Sequence, residues 1–94
     1  MKYYDEWKSH EDLRKDYPNA PEDASIVFAG YTYESYNGDA IVVFQRDGKL
    51  YENNDGHCSC NGLEHWEPEE TTIEALRLRN SWPQLQDALT EAGL

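Results

Sequence analysis

Residues 24–53 read ASIVFAGYTYESYNGDAIVVFQRDGKLYEN, and two dipeptides divide them, Asn37-Gly38 and Asp47-Gly48. Both suit the two-residue type I′ turns of β-hairpins, whose central residues take positive φ. They separate three runs rich in β-branched and aromatic residues, 24–36, 39–46 and 49–53. A two-residue loop also fixes register. A turn at Asn37-Gly38 sets Tyr36 opposite Asp39, Tyr33 opposite Val42 and Tyr31 opposite Phe44, and one at Asp47-Gly48 sets Phe44 opposite Tyr51. One face then collects Tyr31, Tyr33, Val42, Phe44 and Tyr51; the other collects Thr32, Glu34, Ile41, Val43, Gln45 and Glu52. Alternation assigns the first face to the core and leaves the second half wet. The two turns agree on one face, so the stretch predicts a three-stranded antiparallel meander over about 24–53.

Helix signals flank the meander. Ser9 with Asp12 three residues on caps a helix over about 10–16, which Tyr17-Pro18 ends. Thr71-Thr72-Ile73-Glu74 opens a second over about 72–79, although Leu76 and Leu78 also fit an alternating strand. Pro83 suits the first turn of a third over about 83–92, where Trp82, Leu85, Leu89 and Ala92 form one stripe and Gly93 is placed to end it. The expected class is α+β, with the short helices packed on the ring-rich face. Ninety-four residues suffice for one core, so residues 1–94 are expected to form a single domain. Hydrophobic residues are sparse at 38% while aromatics reach 13%, which predicts a core built of rings.

Nineteen acids stand against eight bases, a net charge of −11. That charge repels nucleic acid and anionic membranes and favours basic partners, although it also serves solubility alone. Its placement is uneven: between Leu50 and Leu76 lie seven acids and no Lys or Arg. The N-terminus has no apolar stretch fit for a signal sequence, and no segment is long enough to span a bilayer. The expected setting is the cytoplasm, where Cys58 and Cys60 stay reduced; they also stand too close for an unstrained bond.

Both cysteines fall in residues 54–70, NDGHCSCNGLEHWEPEE, whose glycines, proline and polar residues mark a loop. His57, Cys58, Cys60 and His65 are four side chains of the kind zinc accepts. Their C-x-C core flanked by histidines departs from the usual C-x₂₋₄-C with a distant second pair. Small thiols packing a tight turn, beside hydrogen-bonding histidines, account for the same residues, so a zinc staple stays open as the one cofactor in view. Nucleophilic work is disfavoured, because Asp55, Glu64, Glu67, Glu69 and Glu70 would raise a thiol pKa with no cation in the run. Adjacent glutamates without a cleft give no acid–base pair, and no glycine-rich phosphate loop or basic patch occurs. No enzyme is expected. The candidate partner-binding residues are Asp55, Glu64, Trp66, Glu67, Glu69 and Glu70. For Trp66 two readings stand, an interface anchor ringed by carboxylates or a ring folded back over the edge of the meander.

The strings Gly38-Asp39-Ala40, Arg46-Asp47-Gly48-Lys49-Leu50-Tyr51-Glu52, HCSCNGLE at 57–64 and WEPEETT at 66–72 resemble a family of small acidic proteins encoded by bacteriophages. The resemblance covers roughly residues 26–79 and assigns no residue a role. It implies the cytoplasm of an infected bacterium. Small acidic phage proteins are often inhibitors that occupy basic, nucleic-acid-binding surfaces, an analogy of protein type. The expected function is therefore a binding protein that inhibits or modulates a basic host or defence protein, with carboxylates in the manner of a nucleic-acid mimic. Neither direct nucleic-acid nor membrane binding is expected. The alternative is a zinc-stapled structural module.

Overall fold

At Asp47-Gly48 the chain turns as its residues dictate, with φ of 54° and 77°. The computed structural model describes residues 2–34, 37–58, 65–79 and 82–94, and of Glu34, His57 and Cys58 the backbone alone. Five strands form one mixed sheet in sequence order: β1 (Tyr3–Asp5), β2 (Ile26–Glu34), β3 (Asn37–Arg46), β4 (Lys49–Cys58) and β5 (Glu69–Thr71). Three short helices complete the α+β fold: α1 (His10–Asp16), α2 (Ile73–Arg77) and α3 (Pro83–Glu91). β1 runs parallel to β2, joined to it through α1, and the other neighbours are antiparallel.

The β3–β4 hairpin has the expected register, Phe44 opposite Tyr51 and Arg46 opposite Lys49. The β2–β3 register is shifted. Asn37 and Gly38 lie inside β3, opposite Glu34 and Tyr33, and Val42 faces Ala29 rather than Tyr33. The cause is packing. The turn-dictated register would leave Ile26 to Ala29 beyond the apolar part of β3; the observed one pairs Ile26 with Phe44, Phe28 with Val43 and Ala29 with Val42. From Phe28 onward the shift is four residues, an even number, so Tyr31, Tyr33, Val42 and Phe44 keep their predicted face; an irregularity between Ile26 and Phe28 adds one residue more. Tyr36 lies outside the described residues.

Both faces are buried, and here the expectation of one wet face fails. On the first, Trp7, Leu13, Tyr17 and Ala20 from the α1 region cover Ala29, Ala40, Val42 and Phe44. On the second, Leu76 of α2 and Trp82, Leu85, Ala88 and Leu89 of the α3 region cover Phe28, Ile41 and Val43. The helices therefore divide between the two faces instead of sharing one. Three-residue β1 and β5 were not foreseen; each is too short for a period to show. The first core is the predicted ring-rich one: ring centroids lie 5.4 Å apart for Trp7–Tyr31, 5.7 Å for Trp7–Tyr17, 5.1 Å for Tyr17–Trp66 and 5.4 Å for Phe44–Tyr51. The second is mainly aliphatic, with Phe28 edge-on to Trp82.

The capping residues act as their chemistry requires. Ser9 accepts from the Asp12 amide, and Thr72, one residue later than the pattern placed it, accepts from the Ala75 amide. α2 is shorter than expected, ending at Arg77. α3 begins at Pro83, and Gly93 follows it at φ 78°. The buried stripe of α3 is Leu85, Ala88 and Leu89; Ala92 is exposed. Among the described residues no helix is long and apolar enough to cross a membrane.

Candidate functional site

The stem of the acidic loop is held by two side chains of β4. Asn53 is buried to 1% exposure; its amide donates to the His65 carbonyl at 3.0 Å, and its oxygen accepts from the Glu67 amide at 2.8 Å. An asparagine side chain thus continues the ladder where strand pairing has stopped, and it fixes the chain on both sides of Trp66. Asp55 accepts from the Tyr17 hydroxyl and the His65 amide on one oxygen and from the Gly56 amide on the other. Burial, then the hydrogen bond to Asp55, pushes the Tyr17 hydroxyl far above its ordinary value, so it remains a donor at any physiological pH.

Those bonds decide how the predicted binding residues are disposed. Trp66 is folded back: its ring lies 5.1 Å from Tyr17 and stacks 6.0 Å from Phe44. Asp55 serves the stem. Glu69 and Glu70 pair with Glu52 and Tyr51, whose side chains alternate, so the two glutamates point to opposite faces of the sheet. Glu70 meets Lys49 at 3.5 Å. Glu67 is exposed, and Glu64 lies outside the described residues. The expected single acidic patch is thereby divided. Of the zinc candidates, the side chains of His57 and Cys58 and the whole of Cys60 lie outside the described residues, and His65 is exposed. Among the described residues no group of three or more His, Cys, Asp or Glu is placed to hold a metal.

Glu52, expected on a wet face, is 5% exposed and meets Arg79 at 2.5 Å, with Asn54 donating at 2.7 Å. Burial pushes its carboxyl up, but hydrogen bonds from Thr71, Arg79 and Asn54 and the charge of Arg79 outweigh that and hold it below the usual carboxylate range. Most cations of the chain are committed internally. Lys2 meets Asp23 at 3.2 Å; Lys8, Arg14 and Arg77 donate to the carbonyls of Asp5, Ala20 and Leu94; Arg46 lies 5.3 Å over the Phe44 ring. Among the described residues, Lys or Arg ion pairs cover Asp23, Glu52 and Glu70.

Two clefts remain. One, about 450 Å³, opens where α3 stops short of covering the second face, beside Thr32, Asp39 and Asn54. Its one indole, Trp82, is 9% exposed, so little ring is offered there, and Asn54 is bonded to Glu52. The other, about 360 Å³, lies at the N-terminal end of the ring-rich face. Trp7, Tyr31 and Tyr33 form its aromatic wall, and Glu6, Asp12 and Asp16 supply its carboxylates beside Lys15. Asp16 accepts from the Trp7 indole at 2.8 Å and Asp12 from the Lys8 amide at 3.0 Å, which fixes both carboxylates in place. Burial, then the charges of Asp16 and Glu6, pushes the Tyr31 hydroxyl up, a sign of the negative potential in the groove. Tyr33 is a large ring left 44% exposed. Sequence reasoning sent Tyr31 and Tyr33 to the core by alternation; Tyr31 does pack half-buried against it, whereas Tyr33, opposite Gly38 with no side chain beside it on β3, stays largely open. No protein-family model, curated protein or solved structure matches this chain.

Proposed function

We propose that the protein is a non-enzymatic binding module that engages a basic surface of another protein, in the phage-type setting that the 57–72 strings suggest, as an inhibitor or modulator. The observation that carries this is the disposition of charge. The chain has nineteen acids and eight bases, and bases placed on internal carbonyls and a ring leave the acidic surface to face outward. A field of that kind raises association rates with cationic partners and rejects nucleic acid. Binding is favoured over catalysis by the displaced carboxylates among the described residues. Asp23 is lowered by hydrogen bonds from Tyr3 and Lys2, and Glu52 is lowered as well, whereas a general acid at neutral pH needs the opposite shift.

The test is a titration with an arginine-rich peptide by calorimetry at several salt concentrations. Affinity should fall about tenfold or more between ~50 mM and ~200 mM salt, as charge-steered contacts are screened. An affinity that barely moves with salt overturns the proposal.

A further inference from the structure

We infer that the groove walled by Trp7, Tyr31 and Tyr33 docks an arginine side chain of the basic partner, its guanidinium lying on the exposed Tyr33 ring and reaching the carboxylates of Glu6 and Asp16. This rests on the binding-module reading and gives it a place and a preferred cation. The occupant follows from complementarity. Three carboxylates and the rings of Tyr31 and Tyr33 meet in one open groove, backed by the buried Trp7, with Lys15 as the ammonium among its described lining residues. An ammonium ion needs only the negative charge. A guanidinium also offers a flat face to an aromatic ring and a fork of donors to carboxylates, so a wall that supplies both selects arginine over lysine.

The groove is also rigid before anything binds. The Trp7 ring is 1% exposed and packs on Tyr17 and Tyr31; its indole holds Asp16, and the Ser9 cap with the Lys8 amide holds Asp12. Preorganised walls spare the ordering cost of binding. Lys15 acts as a competitor at the mouth, so its removal should strengthen the interaction. The strip 67–70 offers a poorer place. Glu69 and Glu70 point to opposite faces, Glu70 is paired with Lys49, and Trp66 has turned its ring inward.

The experiment is a nitrogen–proton NMR titration of the full chain with two peptides of equal length and charge, one carrying only arginine and the other only lysine as its basic residue. The arginine peptide should move the Trp7 indole and the Tyr31 and Tyr33 amide signals and bind about threefold or more tighter than the lysine peptide. Tyr33→Ser should erase that preference while the amide spectrum of the core residues stays folded, and Lys15→Gln should tighten both peptides about twofold or more. Binding whose shifts map to residues 65–71, or an arginine preference that survives Tyr33→Ser, overturns the docking site and leaves the binding-module reading standing. Failure of both peptides to bind overturns both.

Discussion

Glu52 and Arg79 show how a single charged residue can be read wrongly from a pattern. Alternation put Glu52 on a wet face; in the fold that face is covered, and the carboxylate is retained only because Arg79, Asn54 and Thr71 satisfy it. Removing one partner leaves an uncompensated buried charge. Arg79 is itself 42% exposed, so the loss for Arg79→Ala should be about 2 kcal/mol, between the fully buried and the surface cases. Linkage gives the sign of the pH effect. A carboxyl whose folded pKa is lowered stabilises above its unfolded value, about 4.3, and that contribution is lost as pH falls through the folded pKa. Glu52→Gln should therefore flatten the acid limb of a stability–pH curve measured by denaturant unfolding; an unchanged limb would show that the pair is not formed. Asn53 has a similar standing. Asn53→Ala strands the His65 carbonyl and the Glu67 amide and should cost about 2–3 kcal/mol, while Asn53→Asp, which keeps the acceptor, should retain the Glu67 bond. Equal stability of Asn53→Ala and the native chain would contradict the clamp.

At the level of elements, the two turn dipeptides fared differently. Asp47-Gly48 turns because nothing else constrains it: Gly48 has open space around it, so its value lies in φ alone. Asn37-Gly38 gives way to the pairing of Ile26–Ala29 with Val42–Phe44 and to the contact of Trp82 with Gly30, where an added Cβ would lie 2.9 Å from the indole. Local turn chemistry is worth less than an apolar core, and only the core's partners could reveal that. Asn37→Thr should be neutral within about 0.5 kcal/mol, since Asn37 is an exposed strand residue; a turn position at positive φ would penalise threonine by more than that. Gly30→Ala, by contrast, should cost about 1–3 kcal/mol through overpacking against Trp82 and Phe28. Both are read by chemical denaturation. The helices were legible because Ser9, Thr72, Pro83 and Gly93 are local signals with local effects. Which face each helix would cover was not, because both faces of β3 carry apolar side chains and the sequence states no preference between them.

For the whole molecule, composition alone indicated an acidic surface and a ring-rich core, and the first face of the sheet is such a core. How the charge is distributed in space could not be read from a linear run. The acids at 67, 69 and 70 are close in sequence but dispersed by strand alternation, whereas Glu6, Asp16 and Tyr33 are distant in sequence and meet only through the parallel β1–β2 pairing over α1. Among the described residues, both sheet edges end in three-residue strands flanked by charged side chains, a form that discourages strand addition.

The most direct measurement compares two variants that each lose two negative charges, Glu6→Gln with Asp16→Asn, and Glu67→Gln with Glu69→Gln, in their affinity for one arginine-rich peptide at fixed salt. The first pair should weaken binding about tenfold or more and the second less than about twofold, the difference between contact and long-range charge. Equal weakening would contradict a localised site and leave only diffuse attraction between an acidic protein and a cation.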